Sequence, residues 1–114
     1  MTLLTETLSI MDLHNLKSKD VIFIGSLSGY ACTWSQFLVL ADVEYNNGFG
    51  CQEVAQDLII IFNNDAVMSR MEYDGSEWWK YTPRPKILDT LYTITKLVDL
   101  TGYMNSLAEM NRGK

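Results

Sequence analysis

No lysine or arginine occurs between Asp20 and Ser69, whereas Asp20, Asp42, Glu44, Glu53, Asp57 and Asp65 all fall in that interval. A stretch without cations cannot neutralise phosphates, which argues against direct nucleic-acid binding by the first two thirds of the chain. Histidine is nearly missing too. His14 is the single one, and no Cys, Asp or His stands near it at metal-ligand spacing. The two cysteines, Cys32 and Cys51, are too few for a disulfide framework and match no metal motif, which points to a reducing compartment. Nothing approaches 18 continuous apolar residues, and the opening "MTLLTETLSIMDLHNLK" lacks a basic leader region. The expectation is a protein of the cytoplasm with no membrane partner.

Chemistry is scarce for the same reason. An enzyme needs a positioned nucleophile, an acid/base pair, a metal or a cofactor, and no such constellation is visible. "GFG" at 48–50 lacks the remainder of a phosphate-loop or dinucleotide pattern and reads as a turn. Asp42, Glu44 and Asp57 share no calcium-loop spacing. Cys51 follows "GFG" near an expected helix start, yet it reads as an incidental thiol. A non-enzyme without metal or cofactor is therefore expected.

What the chain does have is apolar mass. Hydrophobic residues make up 47 %, aromatic ones 11 % and charged ones 20 % of 114, the composition of one folded domain over 1–114. Net charge is −5, while residues 70–114 carry seven basic and six acidic groups, so the negative excess lies ahead of residue 70. An acidic surface suits a basic partner or simply solubility.

Element signals follow in order. "DVIFIGSL" (20–27) is β-branched and apolar, a strand closed by Ser-Gly punctuation. Thr33 is an N-cap candidate for a helix over 33–45, whose stripe is Trp34, Phe37, Leu38, Ala41 and Tyr45. Val39, Leu40 and Val43 lie off that stripe, so something should cover the helix on a second side. "EVAQ" is read as a further short helical turn, and "DLIIIF" (57–62) as a central strand buried on both faces. Residues 67–73 and 76–81 form a hairpin about Asp74-Gly75, and Pro83 and Pro85 end it. From Lys86 to about residue 110 the chain reads as helix. One stripe is Ile87, Leu91, Ile94 and Val98; a second is Leu97, Leu100, Met104 and Leu107, displaced near Gly102. The order β-α-β-β-β-α predicts an α+β domain: an antiparallel sheet of three to four strands, core 20–81, with helices against it.

"YDGSEWW" places two tryptophans side by side after the turn. A two-residue turn at Asp74-Gly75 makes paired residue numbers sum to a constant, so Met71 opposes Trp78, Arg70 opposes Trp79, and Glu72 opposes Glu77. The face with Tyr73, Met71 and Trp78 looks like the core side. On the other face Trp79 can stack on Arg70, and it is either exposed between carboxylates or covered by the C-terminal helix. The Glu72/Glu77 pairing needs a nearby cation.

"DVIFIGS", "TWSQFLVLADVEYNNGFG", "EVAQDLIIIF" and "YDGSEWWKY" together resemble a group of small proteins encoded by bacteriophages and prophages, over residues 20–81. The resemblance carries over no catalytic residue. It implies a phage accessory protein in the cytoplasm of the host bacterium and, by analogy, an inhibitor of antiviral defence of the anti-CRISPR kind. The expected partner is a host protein or nucleoprotein complex with a basic groove, met by an acidic surface that imitates phosphate charge. The expected contacts are Asp42, Glu44, Glu53, Asp65, Glu72, Asp74 and Glu77, with Tyr45, Phe49 and Trp79 as aromatic anchors. Charge reversal at Glu72 and Glu77 should then weaken binding without unfolding. Two alternatives stand beside it. One is sequestration of a nucleotide signal, with phosphates held by Arg70, Lys80, Arg84 and Lys86. The other is a virion assembly protein, for which the apolar helices suit self-association. A monomer or small homo-oligomer is expected.

Overall fold

In the computed structural model, residues 1–48, 50–102 and 106–112 are described. The elements are α1 (Leu3–Leu13), β1 (Val21–Gly25), α2 (Trp34–Leu40), β2 (Ile59–Phe62), β3 (Val67–Tyr73), β4 (Ser76–Thr82) and α3 (Leu107–Asn111). The four strands form one antiparallel sheet in the order β1-β2-β3-β4, so the expected α+β class holds.

The sheet register follows from turn chemistry. Asp74 and Gly75 both have positive φ, 51° and 85°, as a tight two-residue hairpin requires. Every expected pair is present: Arg70 with Trp79, Met71 with Trp78, and Glu72 with Glu77, and the same register pairs Met68 with Tyr81. In β1 the register shifts between Val21 and Phe23, a bulge that re-aims the strand. Gly25 ends β1 where the chain returns: a Cβ there would overlap the carbonyl oxygen of Tyr30, so only glycine fits.

Helix α1 is an element the hydrophobic pattern conceals. Thr2 caps it, accepting from the Thr5 amide at 3.0 Å. Its C-terminus turns on Asn15 at φ 57°, with Leu16 N donating to Met11 O (2.8 Å) and Asn15 N to Asp12 O (3.1 Å). Its buried face is Leu3, Glu6, Thr7 and Met11, half of it polar, so no apolar stripe marks it. Amides at its start are anchored by Val43 O and Ala41 O, at 3.1 Å to Leu3 N and 2.8 Å to Leu4 N.

That anchoring shortens α2. Thr33 caps it as expected, in a capping box completed by Gln36, but the helix stops at Leu40 rather than reaching 45. The chain instead turns after Ala41, with Val43 N donating to Ala41 O at 2.8 Å, and Glu44 is bridged to Thr2. Phe37 and Ala41 are buried, yet Val39 and Leu40 stay exposed, so no second cover exists among the described residues. No helical turn forms at "EVAQ".

The core joins Leu3, Met11, Leu16, Ile24, Phe37, Ile60, Phe62, Met68 and Trp79 on one side of the sheet. Strand β2 is central, but only Ile60 and Phe62 are buried, while Ile59 and Ile61 are half-buried. The expectation of burial on both faces is corrected: α1 and α2 occupy one face only, against β4 and β1. The sidedness of the hairpin is corrected as well. Trp79 is buried at 4 % exposure, while Trp78, Met71 and Tyr73 are exposed. The cover over Trp79 is α1, not a C-terminal helix.

The expected helix from 86 onward is also absent among the described residues, where helix occurs only at Leu107–Asn111. Its Thr and β-branched residues lower helix propensity, and a single isolated helix of this length is marginal without a surface to cover its stripe. The segment leaves the sheet, giving a radius of gyration of 19.0 Å against about 13 Å for a compact chain of this length. Met104, in the second stripe, lies outside the described residues.

Candidate functional site

Beneath α1 sits a polar cluster that the sequence scatters over seventy positions. Arg70 projects from β3 with its side chain fully enclosed. Its Nη2 donates to Glu77 Oε1 at 2.8 Å and to the Tyr45 hydroxyl at 3.0 Å. Its Nη1 donates to both Glu6 oxygens at 3.4 and 3.5 Å. The guanidinium also lies 4.9 Å over the Trp79 ring and 5.6 Å over Tyr45. Tyr45 in turn donates its hydroxyl proton to Glu6 Oε2.

Each partner is itself fixed. Trp79 Nε1 donates to Thr7 Oγ1 at 2.8 Å, and Thr7 donates to Leu3 O at 2.7 Å inside α1. Glu77 accepts the Glu53 and Val54 amides at 2.7 and 3.3 Å. Arg70 thus ties together α1, the 42–54 connection, β3 and β4. Two buried carboxylates around one arginine, with aromatic walls, hold a loop in place; they present no free acid, base or nucleophile to solvent. Among the described residues Arg70 Nε has no hydrogen-bond partner.

Burial, reinforced by the bond to Glu6 and opposed by Arg70, pushes the Tyr45 hydroxyl up to about 12. An unfolded tyrosine ionises near 10. The folded state therefore holds its proton more tightly, and the stability this gives is present below pH 10 and lost as pH climbs from about 10 to 12. Tyrosinate absorbance should show a late step in that window, and Tyr45→Phe should remove it. A step unchanged in Tyr45→Phe would belong to another tyrosine.

The connection held by this cluster forms one wall of a groove of about 330 Å³. Leu3, Val54 and Leu58 give it a buried or half-buried apolar floor, and the exposed carboxylates of Glu44 and Glu53 stand beside it. Glu44 is paired with the Met1 ammonium at 2.8 Å, and Glu53 accepts the Asn46 amide at 3.2 Å. A second cavity, about 430 Å³, shares Ala55 and Leu58 with the first and is lined by Ser26, Ser28, Cys32 and Asp57. There Ser26 and Ser28 hydroxyls pair at 2.7 Å, and burial pushes the Cys32 thiol up, away from reactivity.

The ten residues expected to form one binding face are dispersed. Glu44, Tyr45 and Glu53 meet at the groove, and Asp42 is exposed two residues from Glu44. Glu77 and Trp79 are structural, the first neutralising Arg70 and the second filling the core, so neither is an exposed contact. Asp65 lies at the β2–β3 turn, 3.4 Å from Arg84, while Glu72 and Asp74 lie at the opposite end of β3. Phe49 lies outside the described residues. Of the four cations weighed for phosphate, Arg70 is enclosed by carboxylates and Arg84 pairs with Asp65. His14 stacks on Tyr81 at 3.7 Å between ring centres. Among the described residues no group of His, Cys, Asp and Glu could hold a metal ion, and no helix is long and apolar enough to cross a membrane.

The groove escaped sequence reading because its floor comes from α1 and from 54–58, far apart in the chain. The only local hint was the cation-free interval itself. Comparison with known proteins yields no match: no family model fits, and neither a curated protein nor a solved structure is similar.

Proposed function

We propose that this chain is a non-catalytic binding protein that takes a basic segment of a partner protein into the groove beside Glu44 and Glu53. The observation that carries it is the pairing of an apolar floor with two exposed carboxylates in a region that has no lysine or arginine. A lysine or arginine side chain matches both parts, since its alkyl stem covers apolar surface while its charged head stays among carboxylates. Asp42 adds to the field that steers such a segment in. The resemblance to phage proteins supplies the partner class: a host antiviral defence factor whose basic, nucleic-acid-binding surface is occluded in the cytoplasm of the infected bacterium.

The test is affinity capture from a defence-proficient bacterial lysate at low and high salt, with wild type beside a Glu44→Lys/Glu53→Lys variant. Both side chains are exposed, so the variant should fold. The expected result is a stoichiometric nuclease or nucleoprotein complex retained by wild type at low salt and weakened about tenfold or more in the variant, roughly 1.4 kcal/mol. Equal retention by both proteins, or retention indifferent to salt, would overturn the assignment of the groove.

A further inference from the structure

The sheet has a second face, and the chain carries a segment made to cover one. Residues paired across β2, β3 and β4 share a side, so Ile61, Val67, Met71, Tyr73, Trp78 and Lys80 lie opposite Arg70 and the core. Among the described residues, α1 and α2 pack against β4 and β1, and their buried side chains join the core side. On that face Met71 is 37 %, Trp78 41 % and Tyr73 73 % exposed, so large apolar side chains there are open to solvent. Downstream, Ile87, Leu91, Ile94 and Val98 are all exposed, with Leu88, Tyr92 and Leu97 beside them. Their spacing is that of one helical stripe, and Asp89, Thr93 and Lys96 would fall on the opposite side of the helix.

We infer that residues 86–102 fold as an amphipathic helix on the open sheet face of a second copy of this chain, in a reciprocal exchange. Dimensions agree: the seventeen residues of 86–102 span about 25 Å as a helix, and the seven residues of β4 nearly as much. The linker favours a second copy. Pro83 and Pro85 hold Thr82 and Arg84 extended, and Arg84 lies in an exposed pair with Asp65 at the β2–β3 turn, 3.4 Å away. The segment is thus aimed past the end of its own sheet, whereas returning to that sheet needs a sharp reversal within a stiff Thr-Pro-Arg-Pro stretch. Exchange across a two-fold axis forms the same helix-on-sheet contact twice and leaves no face unfilled. It uses the surface opposite the Glu44/Glu53 side, so it stands or falls independently of the groove.

The experiment uses the full chain with Cys32→Ser and Cys51→Ser. Light scattering should give twice the 13.0 kDa chain mass, and hydrogen exchange should show helical protection over 86–102. One batch carries Ser69→Cys on the open face and another Leu91→Cys; mixed and treated with a short bis-maleimide, they should give a cross-linked heterodimer. A Leu91→Asp/Ile94→Asp variant, altered only at exposed side chains, should remain folded and dimerise at least about 100-fold more weakly. Three outcomes overturn the inference. A 13.0 kDa species that cross-links only within a Ser69→Cys/Leu91→Cys chain would put the helix on its own sheet. A monomer unprotected over 86–102 would mean that nothing in this chain covers the face, and open-ended assemblies would exclude a closed exchange.

Discussion

Arg70→Ala is expected to cost about 3–5 kcal/mol, the penalty for breaking a buried ion pair by removing one partner. A domain of this size has about 5–15 kcal/mol in total, so the variant should be largely unfolded or melt far below wild type. The cause lies in what remains. Glu6 and Glu77 are at most 8 % exposed, and without the guanidinium they become like charges in a poorly solvated space. Glu77 would still accept two amides, but Glu6 would keep only the Tyr45 hydroxyl among its side-chain partners. Arg70→Lys should recover part of the loss, because an ammonium keeps the charge but cannot span Glu77, Glu6 and Tyr45 with a planar fork. Chemical denaturation followed by circular dichroism measures both. A midpoint for Arg70→Ala within experimental error of wild type would show that the cluster does not hold the domain together.

The same geometry changes what charge reversal can report. From the sequence, Glu72 and Glu77 look equivalent, two carboxylates opposed across a hairpin. In the structure Glu72 is exposed and accepts the Gly75 amide at 3.0 Å, whereas Glu77 is 2 % exposed beneath the 42–54 connection. Glu77→Lys would set a second cation against Arg70 and strip the Glu53 and Val54 amides of their acceptor. It should unfold the protein rather than isolate a binding defect, which is why the groove is tested at Glu44 and Glu53.

Legibility tracked locality. The hairpin register was readable because two turn residues determine every pair across it, and α2's start because Thr33 stands as an N-cap directly before the apolar stripe. The side of the sheet that is buried was not. Tyr73, Met71 and Trp78 carry the greater apolar mass, and Arg70, Glu72 and Glu77 look like surface, so the usual rule chose the wrong face. What reverses it is long-range: Glu6 reaches Arg70 from 64 residues away and Tyr45 from 25. A buried charge becomes tolerable only when such partners converge, and no local pattern announces convergence. Helix α1 was hidden for the same reason, since the face it buries contains Glu6 and Thr7. The C-terminal stripe shows the converse: its helical period is plain in the sequence, but a period forms a helix only where a surface exists to receive it.

The adjacent tryptophans should therefore behave oppositely. Trp79→Ala is expected to cost about 3–5 kcal/mol, a large core truncation, and Trp78→Ala less than about 1 kcal/mol in dilute, monomeric protein. Trp79 loses more than volume. Its indole N–H satisfies Thr7, and its ring is one wall of the Arg70 cage, so truncation loosens α1 and the ion cluster together. Trp79→Phe separates the two contributions: it keeps most of the ring but leaves Thr7 Oγ1 without its donor, and should cost about 1–3 kcal/mol. Quenching of fluorescence by iodide gives an independent reading, strong for Trp78 and weak for Trp79. Because Arg70 and Trp79 are in contact, their losses should not add. In a double-mutant cycle with Arg70→Met and Trp79→Leu, which remove the cation and the aromatic face, the pair should cost less than the sum by about 0.5–2 kcal/mol, the scale of a desolvated cation–π contact. Strict additivity would mean that the ring only fills space, and that the ion pairs alone hold Arg70 beneath α1.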